Sequence, residues 1–368
     1  MARIRDRIER ICRDKFLLEV FDKVEGGERI GFEEGLKVLK TDDIYTLGMI
    51  ADYEKRNREE DRVYFVVNRH VNPSNICAIS CKFCAYGKPK DAKGTYELTM
   101  DEILERLTDG MREVHVVGGL HPDWPLEHYV EIVREIRTHF PHIHIKAYTA
   151  VEIDYFSQIS GLSVEEVILK LKDAGLNTLP GGGAEIFGEE TRRKICAPKT
   201  SSVRWLQIHR IAHSLGVPSN ATILYGHIET PEDVVDHMER LRNLQDETGG
   251  FLAFIPVLFQ PENTRMRYVK PFPGSYDLKV HALARLYLDN FPHIKAYWVT
   301  LGEKAAQITL HFGVDDADGT IVQEKIIHDA GAPSPLGLTR DFLTRLIKDA
   351  GYTPVERDAL YNVVRVYS

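Results

Sequence analysis

Three cysteines, Cys77, Cys81 and Cys84, lie within eight positions in NICAISCKFCAYG. Their C-x3-C-x2-C spacing is bracketed by Asn72, Pro73, Ser74 and Asn75 before and by Gly87 and Pro89 after. Such flanks make the segment a loop. Thiolates select soft metals, and a structural zinc site closes its tetrahedron with a fourth Cys or a His. Two readings follow. Either His70 or Cys196 completes a zinc site in a zinc-stabilised binding protein without catalysis, or three thiolates hold a [4Fe-4S] cluster whose fourth iron is open to a small molecule.

The rest of the composition narrows the setting. The chain has 368 residues, 43% hydrophobic and 28% charged, with a formal net charge of -8. These values belong to a folded globular protein. An acidic balance without a basic stripe argues against a nucleic-acid partner. No run of about 18 apolar residues exists to span a membrane, and the start MARIRDRIERICRDKF lacks the apolar core of a secretion signal. The expectation is a cytoplasmic protein acting on small molecules, with no membrane partner. Five cysteines, an odd number in such a chain, do not suggest a disulfide framework. Cys12, in a predicted N-terminal helix, reads as inert packing, and nothing requires a role for Cys196.

The elements that must position the thiols show a repeated order. Short β-branched or apolar runs (63 to 67, 113 to 119, 143 to 149, 176 to 183, 219 to 226, 251 to 257, 294 to 300 and 306 to 313) alternate with helical periodicity such as LEHYVEIVREIRTHF. Eight such units predict an α/β fold of the (β/α)8 barrel type, with the cysteine loop following the first strand. Loops after strands line the C-terminal face of such a barrel, where chemistry is done. Residues 1 to 60 read as an N-terminal helical cap, 61 to 313 as the barrel, and 314 to 368 as a short C-terminal extension packed on it.

The same rim offers further candidates. Gly118 and Gly119, in VVGGLHP, remove side chains where backbone would approach a ligand. LPGGGAEIF fails the dinucleotide pattern G-x-G-x-x-G because Ile186 takes the last glycine position, so Glu185 reads instead as a carboxylate beside a close-approach backbone. His121 and Asp123, the cations Arg192, Arg193 and Lys199, and Tyr225, His227 and Glu229 complete the rim set. A carboxylate-bearing substrate would need one of the cations.

The cysteine spacing, with Phe83 just before the last thiol, resembles the radical S-adenosylmethionine superfamily. AYTAVEI, GLSVEEVILKLKDAGLNTLPGGGAEIF, RRKICAPK and WVTLGEKAAQITLHFGVDDADGTIVQE extend the likeness over nearly the whole chain, toward the aminofutalosine synthases of the futalosine route to menaquinone. The related cyclic dehypoxanthinyl futalosine synthases and deazaflavin-forming synthases share much of this text. The resemblance implies a TIM-type radical barrel, Cys77, Cys81 and Cys84 as cluster ligands, and Phe83, Gly118, Gly119 and Glu185 as contacts of S-adenosylmethionine. It implies addition of a 5'-deoxyadenosyl radical to 3-[(1-carboxyvinyl)oxy]benzoate, with S-adenosylmethionine as co-substrate. A low-potential electron donor such as flavodoxin or ferredoxin is implied as well.

Overall fold

A computed structural model describes residues 2–367. Four helices precede the first strand: α1 (Ala2–Ile11), α2 (Phe16–Gly26), α3 (Phe32–Lys40) and α4 (Ile44–Glu59). Cys12 falls just beyond α1, not inside it, and is buried.

The first barrel strand is broken in two, β1 (Arg62–Val66) and β2 (Asn68–Val71), and the second half carries the chain into the cysteine loop. β2 pairs in parallel with β3 (Glu113–Val116), and β3 with β4 (His144–Ala147). Single bridges, Lys146 to Thr178 and Leu179 to Ser219, connect β4 through 178–179 to β5 (Ser219–Tyr225). β5 pairs with β6 (Phe251–Leu258) and β6 with β7 (His293–Ile294). A bridge from Lys295 to Asp316 reaches β8 (Asp316–Gly319), which pairs with β1 and closes the ring. This is the expected α/β barrel, with all of these pairs parallel.

Two sequence expectations are corrected. Residues 306–313 are not a strand: Glu303–Thr309 is a helix followed by a turn of 3-10 helix, Leu310–Phe312. The eighth strand is Asp316–Gly319, inside the Gly/Asp-rich stretch that reads as a tail. DADG lacks the β-branched residues that signal a strand; burial between β1 and β7, and not propensity, makes it one. The fourth unit, at 176–183, also contributes only bridges, because its glycines pack against neighbouring backbone: a Cβ at Gly181 would stand 2.6 Å from the carbonyl carbon of Ala221.

Beyond the barrel, β9 (Thr353–Arg357) pairs in parallel with β1, and β10 (Val363–Val366) turns back on β9. Arg357 bonds Asp316 at 2.7–2.8 Å, and the Tyr361 hydroxyl donates to the same carboxylate at 2.6 Å. The terminal segment is thereby fastened to β8.

The strands alternate as a barrel wall must. Glu113 and His115 point inward while Val114 and Val116 are buried on the other face, and Lys146, Asn220, Thr222 and Lys295 are further inward polar positions.

Candidate active site

The cysteine loop is shaped by its own backbone. Cys77 N–H donates to Lys88 O at 2.8 Å and Lys88 N–H to Asn75 O at 2.8 Å, folding the loop back beneath the thiols. The second βα loop seals it: Gly119 N–H donates to Ser74 O (2.9 Å) and Ala78 N–H to Leu120 O (2.7 Å). A Cβ at Gly119 would lie 2.1 Å from Ile76 O. That glycine makes room for the cysteine loop's backbone, although Gly118 and Gly119 also line the cavity.

Cys77, Cys81 and Cys84 all line one cavity at the barrel mouth. A Cβ at Gly87 would meet Cys77 Sγ at 3.6 Å and Cys84 Sγ at 3.8 Å, so the absent side chain leaves room between two sulfurs. Backbone N–H groups of Leu120 and Gly87 point at Cys77 Sγ and Cys84 Sγ, each at 3.4 Å. Burial pushes the Cys81 thiol up to about 12, opposed chiefly by Lys199. A bare thiolate is therefore costly here, and a cationic cluster would supply the missing countercharge.

The donor set fits a cuboidal cluster better than zinc. Among the described residues, the one group of three or more His, Cys, Asp or Glu ligands whose atoms all lie within 4.8 Å is Glu59, His293 and Asp315. A tetrahedral zinc with 2.3 Å bonds needs its sulfurs about 3.8 Å apart. His70, a candidate fourth zinc ligand, instead faces His115 at 3.3 Å.

Next to the thiols, Lys199 and Glu185 form a buried ion pair, and the Lys199 ammonium stands 5.1 Å from the Phe83 ring centre. Glu185 sits in left-handed backbone at φ 50°, an uncommon state for a residue with a side chain. Glu152 is the neighbour that sequence reading missed. TAVE is a capping box at the start of the helix Ala150–Ser160, and Glu152 Oε2 accepts from Thr149 N–H (2.7 Å) while Oε1 accepts from Gly118 N–H (3.0 Å). Burial raises this carboxyl to about 7 against those bonds.

Several rim candidates do other work. His121 is stacked on Trp124 and held by Glu97 and the Asp123 amide, outside the cavity lining. Asp123 is exposed beside Lys90. Arg192 is buried and donates to the carbonyls of Gly183, Ala184, Ile186 and Thr200, clamping the glycine loop. Arg193 is exposed and bonds Glu189 O. Tyr225 donates to Asp277 at 3.1 Å, away from the cavity. His227 is fixed by Leu224 O, and Glu229 accepts from the Gly226 and His227 amides, which closes the loop after β5. Buried loops must satisfy their own polar groups, and these residues do so.

Comparison with known proteins decides the family. Residues 71–241 match the Radical SAM superfamily and residues 248–368 the CofH/MqnC C-terminal region. The chain is 48% identical over 363 residues to the aminodeoxyfutalosine synthase of Thermus thermophilus, covering 96% of this chain and 98% of the relative. The chain belongs to the radical S-adenosylmethionine superfamily, on its aminodeoxyfutalosine synthase branch. The aminodeoxyfutalosine synthase of Streptomyces coelicolor is 42% identical, over 95% of this chain and 94% of the relative. Among solved structures, methylornithine synthase superimposes with a TM-score of 0.74 at 19% identity, over 91% of this chain and 97% of that one. That likeness shows a shared fold.

Proposed function

We propose that the protein is an aminodeoxyfutalosine synthase, in which Cys77, Cys81 and Cys84 each hold one iron of a [4Fe-4S] cluster. The observation that carries the reading is the 48% identity, nearly end to end, to a synthase of that activity, on a chain whose three thiols share one cavity. When bound, the cluster supplies the electron, drawn from a flavodoxin or ferredoxin, that splits S-adenosylmethionine into methionine and a 5'-deoxyadenosyl radical. The radical adds to the enol-ether double bond of 3-[(1-carboxyvinyl)oxy]benzoate. Rearrangement through the ring is followed by loss of the enolpyruvyl carboxylate together with the unpaired electron, as the CO2 radical anion. Once that electron is given back to the one-electron couple that supplied it, the CO2 is hydrated to bicarbonate, and the closed-shell product is 6-amino-6-deoxyfutalosine.

The chain's own part is placement and exclusion. Glu152 fixes the Gly118 amide and the start of its helix, so the turn beside Cys77 keeps one shape. Gly118, Gly119, Phe83 and Glu185 are the proposed contacts of S-adenosylmethionine, with Lys199 holding Glu185 in place. Ile255, Val257, Leu258 and Phe259 supply an apolar wall against which an aromatic substrate excludes water. The adenosyl radical then meets an alkene carbon before a stray hydrogen.

The test is anaerobic incubation of cluster-loaded protein with reductant, S-adenosylmethionine and the enolpyruvyl benzoate, followed by mass analysis. A nucleoside-containing adduct is expected; cluster-replete protein that cleaves S-adenosylmethionine but forms no adduct would refute the assignment.

Among the described residues no helix is long and apolar enough to cross a membrane.

A further inference from the structure

The bottom of the same cavity is lined by ions that the cluster and S-adenosylmethionine do not account for. Glu113, Lys146 and Asp318 lie on β3, β4 and β8, Lys295 directly follows β7, and each is buried. Lys146 donates to Glu113 at 2.7 Å, a short charge-assisted pair. Lys295 is different. Although 2% exposed, its ammonium has only a long 3.4 Å contact to Asp318 and lies 4.0 Å from Asp316, whose oxygens already serve Arg357, Tyr361 and the Asp318 amide. An ammonium carries three donors, so Lys295 is under-coordinated where water cannot freely replace a partner.

Other polar groups line the same cavity without partners. His115 Nε2 is buried without a hydrogen-bond partner, while its Nδ1 faces His70. Burial above all, with His70, Lys146 and Lys295, pushes the His115 imidazole well below its ordinary range and keeps it neutral. Tyr297, two residues beyond Lys295, and Asn220, on β5, line the same cavity with no bonded partner for the hydroxyl or the amide. Of the three cations that line the cavity, Lys199 is committed to Glu185 beside the thiols and Lys146 to Glu113. Lys295 is the cation left for a ligand.

We propose that Lys295 forms a carboxylate-binding subsite at the bottom of the barrel cavity, which His115 also lines, and that it takes the aryl carboxylate of the substrate. The choice of carboxylate rests on the function proposed above. The alkene must reach the adenosyl group at the cluster end, so the enolpyruvyl carboxylate stays high and the ring carboxylate, which survives in the product, goes deepest. An ammonium aimed at a carboxylate in a water-poor pocket gives affinity that a neutral isostere forfeits.

The experiment is equilibrium binding to the cluster-loaded, unreduced protein with S-adenosylmethionine present, where no turnover occurs. The probes are 3-[(1-carboxyvinyl)oxy]benzoate and its analogue with a carboxamide in place of the aryl carboxylate. Wild type should prefer the acid by about 30-fold or more. Lys295→Gln should abolish the preference while binding the carboxamide within about threefold of wild type, and Lys295→Arg should restore part of it. Equal binding of the two probes by wild type, or an undiminished preference in Lys295→Gln, would overturn the subsite. Preferential binding that depends on Lys295, combined with no adduct on reduction, would instead leave the subsite standing and remove the synthase assignment.

Discussion

The cysteine loop and the bottom of the barrel are two ends of one cavity, built by opposite means. The loop is mostly local: Cys77, Cys81 and Cys84 are folded toward one another chiefly by backbone bonds within residues 74–88 and to the turn at 119–120, with Lys82 braced by the backbone of Ile195 and Arg265. The bottom is assembled from Glu113, Lys146, Lys295 and Asp318, which meet only when the ring closes. A local motif carries its geometry in its spacing. A closed barrel creates chemistry that no single segment contains.

Substitutions should separate the two ends in order of effect. Cys81→Ser should leave the fold and destroy the centre: bound iron falls from about four per chain toward zero or a partial cluster, and adduct formation drops by at least about 1,000-fold. Iron analysis and product mass check this. Retention of full iron and activity would break the ligand assignment.

Glu113→Gln should do the reverse and strike the fold first. Removing one partner leaves the Lys146 charge buried, at an expected cost of about 3–5 kcal/mol, read from guanidinium unfolding. Combining it with Lys146→Met should recover much of that loss.

A smaller effect concerns pH. His144, paired across from Glu113 and bonded to Thr178 Oγ1 at 2.9 Å, is held down to about 4, mainly by burial. The fold favours the neutral ring, so this contribution is whole above about pH 6.5 and is lost as pH falls from there toward 4. The slope is at most about 1.4 kcal/mol per pH unit. His144→Asn should flatten the stability curve in that window, on top of a pH-independent loss from the Thr178 contact that persists at pH 8.

Arg193→Ala should do least, changing stability by under about 0.5 kcal/mol and activity by less than twofold, because the side chain is exposed and bonds only its own helix. A large loss in adduct formation would return Arg193 to the site.

The same contrast explains what the sequence made legible. The cysteine triplet, its loop and the barrel's repeat were readable because turn residues and period-two patterning are local signals. The eighth strand was not, because DADG is a strand only through burial between its neighbours. Arg192 and Tyr225 read as rim candidates by position, yet Arg192, on the helix Glu189–Cys196, clamps carbonyls of the glycine loop and Tyr225, at the end of β5, bonds Asp277, since side-chain direction around the rim is set by the polar needs of the packed loops. Glu152 had a visible signal, the T-x-x-E capping box, but that pattern marks any helix start. Lys295 stood in the apolar run IKAYWVT, where a lone charge signals an inward-facing ion only once the strand is known to wall a barrel.

The central claim is that the adenosyl radical made at the cysteine end is added to the substrate. S-adenosylmethionine labelled in its adenosyl group, given to the reduced holoenzyme with the enolpyruvyl benzoate, measures this directly. The label is expected chiefly in a product that also contains the aromatic ring, one label per methionine released. Label recovered as free 5'-deoxyadenosine in stoichiometric yield with methionine would contradict it, and would make the radical a hydrogen abstractor.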